Sequence, residues 1–202
     1  DVYLGKGFTN ARVTASSKQT PKGVEVNFKV DEGRSTVIAK LDFRGNKVIS
    51  SRTLKSKLTL KEAGLINKGA FQESELEADK QAITAYYQNL GYIDAEVIDV
   101  TKETAINEKK NRDELTITFV IVEGSQYTFG GMTFKGNIIF PSEKLNSFVK
   151  LKTGAVYSQQ KYQESVMAIA DLYYENGYTS NRFQPIPMKD TNNKVISYEF
   201  HI

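Results

Sequence analysis

The sequence predicts an α+β fold built in tandem: units of strand, helix, helix, strand, strand, each a three-stranded sheet with two helices on one face. Three observations predict it. The strand-like "FKVDEG" (Phe28 to Gly33) returns as "FVIVEG" (Phe119 to Gly124), 91 positions later. The "FRGN" of Phe43 to Asn46 meets the "FKGN" of Phe134 to Asn137 at the same offset. "YYQNLGY", ending at Tyr92, is echoed by "LYYENGY", ending at Tyr178, at an offset of 86, so five residues are lost between these landmarks as in a loop deletion. "YLGKGF" (Tyr3 to Phe8) keeps the Tyr and Gly spacing of "YQNLGY" and supplies a third copy. The expected organisation is therefore the C-terminal part of one unit at 1–33, a complete unit at 34–124 and another at 125–202, with the chain beginning inside a unit.

Each element follows from its own pattern. In "VEVNFKV", Val24, Val26, Phe28 and Val30 alternate with Glu25, Asn27 and Lys29, the period-two signature of a half-buried strand. Leu115, Ile117, Phe119 and Ile121 repeat it before the second seam, and Ile196, Tyr198, Phe200 and Ile202 repeat it at the end. One face of each sheet is expected to be covered and the other wet. After each seam a strand points Leu41 and Phe43, or Met132 and Phe134, inward, and Gly-Asn turns the chain. A short helix is expected over Ser51 to Leu58 and Ser142 to Phe148. A longer one opens near Gln72 or Ser158 and stops at Gly91 or Gly177, where glycine can take the left-handed cap conformation. Tyr162, Val166, Ile169 and Tyr173 line one face of the later copy. "YIDAEVIDV" then reads as a strand with Ala95 and Val97 inward, matching Ala11 and Val13. The charged stretch "TKETAINEKKNRD" (101–113) reads as a long, mobile, solvated loop before the next strand.

Composition narrows the function classes. The 202 residues are 40% hydrophobic, 25% charged and 11% aromatic, the balance of a globular chain. No run approaches the roughly 18 apolar residues of a membrane-spanning helix. A net charge of +3 is too small to imply a nucleic-acid partner without a concentrated patch. Zero cysteines exclude disulfides and thiolate metal sites. The only histidine, His201, lies on the outward side of an alternating strand and has no second histidine or cysteine with which to share a metal. No cofactor is expected. Gly-x-Ser-x-Gly, phosphate-loop and dinucleotide fingerprints are missing, and catalysis is not indicated. Tandem RNA-binding KH modules are the alternative from another class, but their Gly-x-x-Gly clamp needs two glycines three positions apart, and the chain has none.

The ordered set "FRGN", "YQNLGY", "FVIVEG", then "FKGN", "YENGY", "YEFHI" resembles the polypeptide-transport-associated (POTRA) domain family. The resemblance covers essentially the whole chain. Serial units resemble most the periplasmic arm of an outer-membrane β-barrel assembly protein of a diderm bacterium. TamA-like and two-partner secretion transporters are alternatives, and serial copies count against the latter. The resemblance implies a non-enzymatic arm that receives unfolded outer-membrane β-barrel clients, docks accessory lipoproteins, and hangs below a C-terminal β-barrel absent from this chain.

An extended client can join an exposed sheet edge through main-chain hydrogen bonds that ignore its side chains. The family topology puts the strand after the second helix at an edge, here Glu96, Val97, Ile98, Asp99 and Val100, and again Arg182 to Met188. Pro185 and Pro187 blunt the second edge, which leaves Glu96 to Val100 as the expected client-binding strand. The seams Asp31, Glu32, Gly33, Arg34 and Glu123, Gly124, Ser125, Gln126 are the expected hinges.

Overall fold

The structure, a computed structural model, describes Tyr3, Gly7, Phe8 and residues 11–202. Leu4, Gly5 and Lys6 of the "YLGKGF" copy lie outside the described residues. Contacts divide the chain into two compact units, Asp1–Ile83 with Val97–Ile121, and Thr84–Glu96 with Val122–Ile202.

The first unit opens with an antiparallel hairpin of β1 (Arg12–Thr20) and β2 (Gly23–Asp31). Its register puts Val13 opposite Val30 and Ala15 opposite Phe28, so the alternating apolar residues do share a face. That face is not covered: Phe28 is 69% exposed, and Val13, Val24 and Val26 are exposed as well. The expectation of a half-buried strand therefore fails here. Alternation sets which residues share a face, but burial needs a second layer, and no described residue covers this face.

After the hairpin come β3 (Ser35–Arg44), α1 (Ser51–Lys57), α2 (Glu73–Asn89), β4 (Glu96–Asn107) and β5 (Arg112–Val122), with sheet order β3-β5-β4; the first unit takes α2 as far as Ile83 and the β4–β5 hairpin over Val97–Ile121. Strands β3 and β5 run parallel, which the intervening helices make possible. Ile38, Leu41, Phe43, Leu54, Leu76, Ile83, Val97, Leu115, Ile117 and Phe119 are buried, with Phe43 stacked on Phe119 at 5.5 Å. Each such side chain contributes about 1.5–3 kcal/mol by leaving water.

The charged 101–113 stretch is not a loop. Strand β4 continues to Asn107, a single turn of 3₁₀ helix spans Glu108–Lys110, and β5 resumes at Arg112. Polar cross-links hold this extension: the Asn107 amide donates to Glu114 at 3.0 Å, Arg112 pairs with Glu114 at 2.6 Å, and Lys102 reaches Glu73 at 2.9 Å. Asn111, at φ 46°, takes the left-handed position that closes the hairpin.

The second unit repeats the plan with β6 (Thr128–Lys135), α3 (Ser142–Asn146), α4 (Gln159–Glu175), β7 (Gln184–Asp190) and β8 (Val195–His201), in the order β6-β8-β7. Helix α3 is shorter than expected, ending at Asn146 before a turn that carries Phe148. The core gathers Phe129, Met132, Leu145, Tyr162, Ile169, Tyr173, Ile196 and Phe200. Against it Tyr162 stacks on Tyr198 at 4.1 Å, and the Tyr157 and Tyr198 hydroxyls lie 2.9 Å apart.

The repeated motifs have physical causes. Gly45 (φ 87°) and Gly136 (φ 77°) turn where a Cβ would stand 2.0 Å from the Ile121 carbonyl oxygen or 2.5 Å from that of Ile202. The next residue holds the start of the short helix: Asn46 donates to the Ile49 carbonyl and Ser51, and Asn137 donates to the Phe140 carbonyl and Ser142. The aromatic after each cap glycine donates its amide back to a tyrosine carbonyl. Phe8 bonds Tyr3 at 2.9 Å, Tyr92 bonds Tyr87 at 3.1 Å and Tyr178 bonds Tyr173 at 3.0 Å. The three share one hydrogen bond, which in the second and third copies closes the end of α2 and of α4.

Candidate functional site

The sheet edges decide where a strand could be added. In the first unit the outer side of β3 is already occupied: Thr36 donates to the Gly7 carbonyl at 2.7 Å, Ile38 donates to that of Gly69 at 2.7 Å, and Val37 bridges Ala70. In the second unit β6 is occupied in the same way, with Tyr127 donating to Gly91, Phe129 to Ala155, and Thr128 bridging Val156. Both first strands carry a register shift at this place, between Ile38 and Lys40 and between Phe129 and Gly131. The bulge lets the strand serve its neighbour in the sheet and the crossing segment together.

The opposite edges are β4 and β7. Strand β7 sets Pro185 against Phe200 and Pro187 against Tyr198. Two prolines spaced by two share one side of the strand, and a paired edge strand keeps proline nitrogens on its open side, which then lacks donors. Strand β4 contains no proline and, among the described residues, no segment bridges its outer side. Within the sequence-predicted stretch Val97 is buried, Glu96 and Asp99 are exposed, Val100 is half-buried and Ile98 is 55% exposed. The Val100 amide donates to the neighbouring Asp99 carboxylate at 2.8 Å.

The two seams differ. Asp31, Glu32, Gly33 and Arg34 are all exposed, with Gly33 at φ 64° donating to Asp31 and Arg34 paired to Asp113 at 2.9 Å. In the second unit Glu123 is buried and accepts the Tyr87 hydroxyl at 2.8 Å, and Gln126 donates to the Leu90 carbonyl at 2.8 Å. Gly124 has φ 70°, and Ser125 beside it is half-buried.

Sequence reasoning missed a buried polar pair at matching places on the long helices. Asp79 of α2 accepts the Thr59 and Leu60 amides at 2.6 and 2.9 Å, and Ser165 of α4 accepts the Lys150 amide at 2.8 Å. The two are 86 positions apart, the offset of the glycine-tyrosine landmark, and only that register marks them. His201 pairs with Glu199 at 2.7 Å. Among the described residues no cluster of acidic, histidine or cysteine side chains could hold a metal, and no helix is long and apolar enough to cross a membrane.

Comparison with known proteins fits this geometry. The family model for POTRA, surface antigen variable number repeat, matches residues 36–124 and 127–202. The chain belongs to the POTRA family. Its POTRA units are 38% identical, over 99% of the chain, to the "Putative outer membrane protein assembly factor" of Treponema pallidum, of which they cover 24%. They are 28% identical, again over 99% of the chain, to the outer membrane protein assembly factor BamA of Neisseria meningitidis, of which they cover 25%. The chain thus spans about a quarter of the length of these curated relatives. Among solved structures, BamA POTRA3-5 of Haemophilus influenzae superposes with a TM-score of 0.64 at 26% identity, covering 82% of this chain and 65% of that one.

Proposed function

We propose that these POTRA units form the periplasmic arm of an outer-membrane β-barrel assembly protein and receive unfolded β-barrel clients as an added strand along Glu96–Val100 of β4. The observation that carries the reading is the contrast between edges. Each first strand is covered and β7 is blunted by proline, whereas β4 offers an uncovered, proline-free stretch. Main-chain pairing there accepts many client sequences, as an assembly factor requires. Accessory lipoproteins and the C-terminal barrel of the parent protein are the further partners of this reading. The seams serve it as hinges, with Asp31–Arg34 the freer, because Glu123 and Gln126 are tied to Tyr87 and Leu90.

The test is a backbone amide NMR titration with extended peptides cut from β-barrel membrane proteins. Shifts concentrated at Glu96–Val100 are expected, with loss on Ile98→Pro. Shifts spread elsewhere, or none at millimolar peptide in a folded sample, refute the edge.

A further inference from the structure

The two units make the same pair of bonds at the bulge of their first strand with loops of different length. Ala63 donates to the Ile38 carbonyl and Ile38 to that of Gly69, each at 2.7 Å; Gly154 donates to the Phe129 carbonyl at 2.7 Å and Phe129 to that of Ala155 at 2.8 Å. Ala63 and Gly154 stand 91 positions apart, whereas Gly69 and Ala155 stand 86 apart. The five-residue difference therefore falls on Gly64–Lys68, "GLINK". The shorter loop shows that the edge bonds do not need these residues.

The added residues close on themselves, with the Gly64 amide donating to the Asn67 carbonyl at 2.9 Å, and hold Leu65 and Ile66 at the tip. At 108% and 94%, these are the most exposed large apolar side chains among the described residues. Single exposed apolar residues need no explanation, but an adjacent pair on an insertion that the fold does not require marks an interaction surface. Its surroundings are cationic. Lys68 and Lys110 line one depression with Gly64, Leu65 and Asn67, where Arg112 is already paired with Glu114, and Lys109 adjoins it in sequence. The acids here are mostly neutralised locally: Glu62 by Lys55, Asp113 by Arg34 and Glu114 by Arg112, with Glu108 remaining.

We propose that the Gly64–Lys68 loop docks this unit on an anionic phospholipid surface, with Leu65 and Ile66 entering the headgroup boundary and Lys68 and Lys110 meeting the phosphates. A convex apolar tip beside lysines is the chemistry of an interfacial anchor. A protein partner would have to supply a matching pocket, whereas a lipid surface admits such a tip without one. The proposal rests on the loop and the adjoining Lys110 and is independent of client pairing at Glu96–Val100.

The chain contains no tryptophan, so Leu65→Trp installs a single fluorescent reporter. It is titrated with phosphatidylethanolamine–phosphatidylglycerol vesicles and with phosphatidylcholine vesicles, at low and high salt. Co-sedimentation with the same vesicles is measured for the unsubstituted chain, Leu65→Ser/Ile66→Ser and Lys68→Glu/Lys110→Glu. The expected result is a blue shift on the anionic vesicles that weakens with salt, with co-sedimentation reduced about tenfold or more in both double variants and unfolding temperatures unchanged. No sedimentation of the unsubstituted chain, or equal sedimentation of Leu65→Ser/Ile66→Ser, overturns the proposal. A tip that binds a folded protein but no vesicle overturns it too.

Discussion

The buried Tyr87 hydroxyl donates to the buried Glu123 carboxylate at 2.8 Å, so the tyrosine of one repeated motif satisfies the acid of another. Burial, and then the neighbouring Glu123 carboxylate, push the Tyr87 phenol well above its usual range. Tyr87→Phe leaves the carboxylate without that donor. It is expected to destabilise the fold by about 1–3 kcal/mol, read as a lower urea midpoint with unchanged slope. Because the folded state holds this phenol protonated, Tyr87 contributes stability that is complete below pH 10, its usual value, and lost as pH rises beyond it. Tyr87→Phe removes that part of the alkaline loss.

Asp79→Ala is expected to cost about 2–4 kcal/mol, since it strands the Thr59 and Leu60 amides around a buried carboxylate site. Ser165→Ala strands a single amide, that of Lys150, and removes the hydroxyl's bond to the Lys161 carbonyl, so it costs less, about 1 kcal/mol. Thermal unfolding of the two variants ranks them; equal shifts would refute the assignment of two amides to Asp79.

Glycine at the Gly-Asn turn answers to space as well as to backbone angle. Gly45→Ala meets the Ile121 carbonyl and is expected to unfold the chain or cost more than about 3 kcal/mol. Gly154→Ala, at φ 83° with nothing near its Cβ, pays only the left-handed penalty of about 1–2 kcal/mol. A smaller loss for Gly45→Ala than for Gly154→Ala would contradict the close approach.

Glu62 gives the fold an acid-sensitive contact. Burial raises its carboxyl, but the Leu41 amide at 2.7 Å and the Lys55 ammonium at 2.6 Å outweigh it and hold the group below its usual 4.5. A depressed carboxylate stabilises the folded state above 4.5, and that stability is lost as pH falls through the folded value. Glu62→Gln is expected to flatten the loss of stability as pH falls below 4.5, measured as the urea midpoint.

The architecture was legible because it repeats: Gly45 with Gly136, and Asn46 with Asn137, keep one spacing, and the period-two runs of β5 and β8 locate their strands. What stayed hidden depended on neighbours distant in sequence. Asp79 and Ser165 fill one role with different chemistry, and each reads as a wet helix face. The 101–113 charges read as loop because Ile106 is the sole large apolar residue in that stretch, which erases alternation without preventing strand pairing. Phe28 shows the converse, a clean alternation on a face that no described residue covers. The β4 edge could be positioned from the sequence, but the covering of β3 by Gly69 and Ala70 could not.

The ring stack of Tyr157, Tyr162 and Tyr198 has an optical consequence. In a chain without tryptophan or cystine, near-ultraviolet circular dichroism comes from tyrosine and phenylalanine alone, and rings held 4.1 Å apart in a fixed tilt couple most strongly. All three rings belong to the second unit, so that spectrum is chiefly its signature. The first unit can lose its side-chain order while the dichroic band scarcely changes.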